Sequence, residues 1–134
     1  SLGQPLIENK IVKNKAYEDY INFIINKHND CKVYYLMHRR EEKEKLLSYN
    51  LIKEINVIES TQPGEFFFLN LDHKPKAIYG INTTLLFSLV NIFDDLLIYS
   101  YLFKQEDILR NKEWFKESIK HFEENRIRIE KGNI

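Results

Sequence analysis

Apolar positions along the chain change their spacing several times, and each change marks an element. In AYEDYINFIINK (16–27), Tyr17, Tyr20, Ile21, Ile24 and Ile25 recur every 3 to 4 positions. That spacing predicts an amphipathic helix, which Asn29-Asp30 would end. KVYYLM (32–37) is largely apolar and rich in β-branched and aromatic residues, the pattern of a strand buried on both faces. EEKEKLLSYN (41–50) carries strong helix formers, with acids in the first turn where the helix dipole favours them. EINVIES (54–60) reads as a second strand and TQPG (61–64) as a turn. EFFFLNL (65–71) fits a helix or a strand, and the preceding Pro63-Gly64 suits a helix start. After Pro75, KAIYGI (76–81) reads as a third strand; NTTLLFSLVNIF (82–93) reads as a helix capped by Asn or Thr. DDLLIYSYLF (94–103) reads as a fourth strand, and EDILRNKEWFKESIKHFEENRIRI (106–129) as one or two amphipathic helices. Residues 1–15 read as an extended lead-in, with Ser1-Leu2 as a vector-derived scar, and residues 16–134 as one domain.

Strands that alternate with helices imply right-handed βαβ units. The expected fold class is therefore α/β, a Rossmann-like three-layer α/β/α sandwich with a mostly parallel sheet. In such sheets ligands bind beyond the carboxyl ends of the strands. The residues to inspect are then His38-Arg39-Arg40, the segment Ser60 to Glu65, Asn82-Thr83-Thr84, and Phe103-Lys104-Gln105.

Composition narrows the function. The chain has 134 residues, enough for one core, and 20 basic against 20 acidic side chains. Zero net charge argues against a protein that binds nucleic acid through bulk charge. A single cysteine, Cys31, excludes an internal disulfide and fits a reducing compartment. No apolar run is long enough to cross a bilayer. Richness in Asn, Lys and Ile is associated with AT-rich bacterial genomes.

At the expected ligand edge, a histidine and two arginines leave the first strand and a hydroxyl pair opens a helix. A helix N-terminus with hydroxyls and free N–H groups suits phosphate. A histidine within reach can donate to the same anion or protonate it as it departs. Glu65 can accept hydrogen bonds from a ribose diol. The sketch is a nucleotide pocket, with phosphate between His38 and Thr83/Thr84 and sugar near Glu65. No G-x-G-x-x-G or Walker-A sequence is present.

These motifs carry a resemblance over roughly residues 16–103. His38-Arg39-Arg40-Glu41, Pro63-Gly64-Glu65, Pro75 to Gly80 and Asn82-Thr83-Thr84 resemble the C-terminal half of bacterial sialyltransferases of GT-B architecture, of the lipooligosaccharide and polysialic acid type. The resemblance implies a domain that binds CMP-sialic acid for surface glycan (lipooligosaccharide or capsule) synthesis. It implies His38 as phosphate ligand and acid, and Glu65, Thr83, Thr84, Arg40 and Pro63 as nucleotide-binding residues. It implies no cofactor and no metal. The acceptor site and catalytic base belong to the other half of that architecture. A chain of this length has room for one half, so it is expected to be a fragment inactive alone, with the missing half as partner and self-association through the bared cleft. The implied location is cytoplasmic, at the inner face of a bacterial membrane. Arg39 stands where the family has proline, and Leu36 where it has a lysine two residues before the histidine.

Each residue also has a plainer reading. Thr83-Thr84 can be an N-cap pair, and Glu65 a first-turn acid. Arg39 and Arg40 can pair on the surface with Glu41, Glu42 or Glu44. His28 reads as a helix-end residue favoured by the dipole. His73 and His121 read as surface residues and Asp94-Asp95 as a polar turn. Trp114, Phe115, Ile119 and Phe122 read as core, and Tyr99 and Tyr101 as packing one face. The alternatives to a CMP-sialic acid half are a non-catalytic α/β interaction domain, or half of a glycosyltransferase using another donor such as a UDP-sugar or CMP-Kdo.

Overall fold

The computed structural model describes residues 1–49, 52–81 and 83–131. The chain is an α/β protein whose short strands run parallel within a two-stranded and a three-stranded sheet. In chain order the elements are α1 (Asn14–Lys27), β1 (Tyr34–Leu36), α2 (Lys43–Leu47), β2 (Asn56–Ile58), α3 (Gly64–Leu69), β3 (Ala77–Gly80), α4 (Leu85–Ile92), β4 (Leu97–Leu102), α5 (Lys112–Glu124) and β5 (Arg128–Lys131). Single turns of 3₁₀-helix at Ile52–Glu54 and Gln105–Asp107 complete the order.

The segment Ser1–Gly3 stitches the two sheets together. Leu2 bridges Leu36 in parallel. The Leu36 N–H donates to Ser1 O (2.8 Å), and the Gly3 N–H donates to Leu36 O (2.8 Å). On its other side, the Leu2 N–H donates to Tyr79 O of β3 (2.7 Å). The lateral order is thus β2, β1, Leu2, β3, β4, β5. The scar reading gives Leu2 no structural role, yet Leu2 is only 3% exposed. The rest of the lead-in is also packed in: Leu6 and Val12 are buried, and Val12 pairs antiparallel with Ile108.

Alternation along the strands separates two apolar clusters. Tyr35, Tyr79 and Tyr101 join α1 (Tyr17, Tyr20, Ile21, Ile24, Ile25) in one cluster. Leu36, Ile78 and Ile98 join Leu86, Leu89 and Phe122 in the other. The first-face aromatics interlock: Tyr79 stacks on Tyr99 at 4.8 Å, and the Tyr20 and Tyr101 rings lie 4.7 Å apart. The spacing that predicted α1 is therefore the face it buries.

Three expectations change. The C-terminal stretch is a helix followed by a strand. Arg126 takes positive φ (66°), which stops the helix, and R-I-E-K then alternates as the outer strand β5. Trp114, expected in the core, is 41% exposed, while Phe115 and Phe122 hold the buried face of α5. The segment 65–71 is helical as far as Leu69, and β2 shortens to three residues.

Candidate functional site

The edge of the sheet that carries the strand exits follows from the opposite edge. Ser1, Val33 and Tyr34 at the start of β1, and Lys76 and Ala77 at the start of β3, line one cavity of about 640 Å³. The strands on the two sides of Leu2 therefore begin together, and their carboxyl ends share the far edge. At that far edge emerge Gln4-Pro5, His38, Ser60 to Pro63, and Thr83. Exits of β1 and β3 are two strand spacings apart, about 10 Å.

His38 sits in a tight turn between β1 and α2. Its Nδ1 accepts the Arg40 N–H at 3.1 Å, so the neutral ring carries its proton on Nε2. Its own N–H donates to Glu41 Oε1 at 2.8 Å, and its carbonyl accepts the Glu41 N–H at 3.0 Å. The ring's pKa lies below the usual 6.5, first because it is partly desolvated and then because Arg39 and Arg40 are cationic neighbours. Both arginines are exposed.

Glu41, which the sequence placed in the His38 motif only as a surface partner for Arg39 or Arg40, instead bonds to Tyr35 and to the His38 N–H. Within a charged run that reads as a solvated helix start, its carboxyl turns inward. Tyr35 Oη donates to Oε2 at 2.6 Å, and burial pushes the carboxyl pKa up to about 7. The Tyr35 hydroxyl is also bonded to Tyr17 (2.5 Å), which accepts the Gln4 N–H (3.3 Å). Glu42, expected beside Arg39 and Arg40, instead pairs with Lys45 (3.7 Å). The signal for Glu41 was its spacing, since an acid three residues after a turn residue can reach back to that residue's N–H.

The helices that the other two motifs open pack together at their starts. Pro63 is the N-cap of α3, Gly64 opens it, and Glu65 lies half-buried in its first turn. A Cβ on Gly64 would lie 2.4 Å from Leu85 Cδ2, so the start of α3 packs on the start of α4. Thr84 is the N-cap of α4 but makes no side-chain cap bond. Its neighbour supplies the cap instead: Thr83 Oγ1 accepts the Leu85 N–H at 3.3 Å. Asn82, the first residue of that motif, lies outside the described residues. The structure thus packs the start of α3 on the start of α4 through Gly64 and Leu85, and sets the exit of β1, with His38, across the N-terminal segment from the exit of β3, with Thr83.

His28 does sit at the C-cap of α1, but its pKa is lowered, by burial first and then by Lys27, rather than raised by the dipole. Its Nε2 is bonded to Tyr79 Oη at 2.8 Å, far from the exits. Asp94-Asp95 form a turn, with Asp95 paired to Lys74 at 3.2 Å. Among the described residues, no group of three or more His, Cys, Asp or Glu could hold a metal ion. No helix among them is long and apolar enough to cross a membrane. No protein-family model matches the chain, and no curated protein matches it.

Proposed function

We propose that this chain is the donor-binding domain of a sialyltransferase of GT-B architecture, holding CMP-sialic acid at the carboxyl edge of its sheet. The observation that carries the reading is the position of Leu2 between β1 and β3. Counted as a first strand, the segment makes the lateral order 3-2-1-4-5-6, that of a doubly wound Rossmann-like sheet. The chain leaves this segment toward β1 and returns on its other side as β3. Such a reversal opens a crevice over the loop between them, here Gln4-Pro5, flanked by His38 and by Thr83-Thr84.

In this reading the His38 Nε2–H faces the phosphate, and the N-terminus of α4 with Thr83 and Thr84 takes its other oxygens. Glu65 accepts from the ribose diol, with Pro63 and Arg40 bordering the nucleotide. The acceptor hydroxyl attacks the anomeric carbon directly and inverts it, while CMP leaves with a proton from His38. The base that activates the acceptor comes from a second half, so this chain binds donor without transferring it.

Calorimetric titration with CMP and UMP tests the reading, using wild type, His38→Ala and Thr84→Ala. The expected result is CMP binding in preference to UMP, weakened in both variants. Absence of CMP binding, or binding unchanged in both variants, overturns it in favour of an interaction domain. Equal binding of UMP moves the donor to another nucleotide sugar.

A further inference from the structure

We infer that Glu41 is the positioning residue for His38, clamping the turn that presents the imidazole against the central Ser1–Gly3 segment. The inference rests on the proposed role of His38 but stands on its own geometry. One carboxylate oxygen takes the His38 N–H (2.8 Å) and the other takes the Tyr35 hydroxyl (2.6 Å). Because Tyr35 donates to Glu41, the Tyr17 hydroxyl must donate to Tyr35, and the Gln4 N–H donates to Tyr17. In the ionised form of Glu41 this relay from Gln4 through Tyr17 and Tyr35, together with the His38 N–H, ends on one carboxylate.

A second observation is independent of the hydrogen bonds. A Cβ on Gly3 would lie 1.8 Å from Glu41 Oε1 and 2.9 Å from Tyr35 Cε1. The strand segment is thus bare of side chain where the carboxylate sits. The groups around the carboxyl are Tyr35 and Tyr17, Glu8 of the N-terminal loop, Tyr20 and Tyr49, and His38 on its own turn. Glu8 is itself tied to the same loop, its Oε1 accepting the Glu42 N–H at 3.0 Å. Burial first, and then the nearby Glu8, works against ionisation, so Glu41 is held in place by its hydrogen bonds rather than by an opposite charge.

Glutamine is the discriminating replacement, because its amide can accept from only one of the two donors and must face the other with an N–H. The ring of His38 is read directly by NMR titration in wild type, Glu41→Gln, Tyr35→Phe and the surface control Glu42→Gln. With Glu41→Gln the turn loosens and the ring becomes hydrated. Its titration midpoint then rises toward 6.5, and the tautomer set by the Arg40 N–H becomes mixed. Tyr35→Phe gives a smaller change in the same direction, and Glu42→Gln gives none. A midpoint that falls overturns the inference, because losing a nearby negative charge alone does that. Ring signals unchanged in both Glu41→Gln and Tyr35→Phe overturn it as well. In parallel, CMP affinity is expected to drop roughly tenfold in Glu41→Gln, in line with one charge-assisted hydrogen bond. If wild type binds no CMP but the ring responds as described, the donor reading fails and the positioning role stands.

Discussion

His38 Nδ1 accepts the backbone N–H of Arg40 at 3.1 Å, which leaves the proton of the neutral ring on Nε2. The pKa of that ring is below 6.5 because of partial desolvation and the adjacent Arg39 and Arg40. A bound phosphate reverses the balance by favouring the imidazolium. CMP binding is therefore expected to take up a proton near pH 7 and to strengthen as pH falls toward 6. Calorimetry in buffers of different ionisation enthalpy measures the uptake. Affinity independent of pH between 6 and 8 would remove His38 from the phosphate.

Replacing His38 by alanine deletes that hydrogen bond without touching the core, since the side chain is only partly buried. A hydrogen bond to a charged group contributes about 1.5–3 kcal/mol, so CMP affinity is expected to fall by roughly ten- to a hundredfold. The unfolding midpoint in urea should stay close to wild type. A large loss of stability with the loss of affinity would mark His38 as structural.

Glu41 makes stability depend on pH. Its carboxyl is raised from 4.5 to about 7 by burial, so the folded state holds a proton that the unfolded state has released. This contribution is fully present below about pH 4.5 and is lost as pH rises through about 7. The total is about 3 kcal/mol. Urea denaturation of wild type and Glu41→Gln at several pH values isolates it as the difference between the two curves. The variant's absolute level shifts because one donor loses its acceptor, but its slope across this window should be shallower. Parallel curves would show that Glu41 titrates normally.

Two glycines should respond differently to alanine. At Gly3 the new methyl meets one oxygen of a carboxylate that is anchored at both oxygens, by the His38 N–H and the Tyr35 hydroxyl, and the ring edge of Tyr35, neither able to withdraw cheaply. Gly3→Ala is expected to cost about 2–4 kcal/mol, comparable with overpacking plus a lost buried hydrogen bond. At Gly64 the obstruction is the flexible end of Leu85, and alanine favours the helix by about 1 kcal/mol. Gly64→Ala is expected within about 1 kcal/mol of wild type. Thermal melts of both variants decide the comparison, and equal losses would refute it.

Leu2 tests the joint between the two sheets. It is 3% exposed and packs with Leu36 and Ile78. Leu2→Ala should cost about 2–5 kcal/mol, a large share of the stability of a domain this size. A cost below about 0.5 kcal/mol would mean that the sheets do not depend on the segment.

The sequence by itself determined the α/β class, the extent of α1, and the regions of β1, β3 and β4. These elements carry long apolar patterns whose period alone separates helix from strand. It also singled out the turn at His38 and the pair Thr83-Thr84 as residues that follow strands. Three features were decided only by tertiary contacts. Ser1–Gly3 is too short to carry a period, and it acts as a strand only because Leu36 and Tyr79 supply partners from far along the chain. β5 has just one half-buried apolar position, Ile129, and it forms because β4 offers an open edge and Arg126 breaks the helix before it. Glu41 lies in a run of charges that favours solvent, and its burial depends on space at Gly3 and a hydroxyl at Tyr35. Local pattern reports what a residue prefers, whereas burial of an acid depends on what distant residues leave open to it.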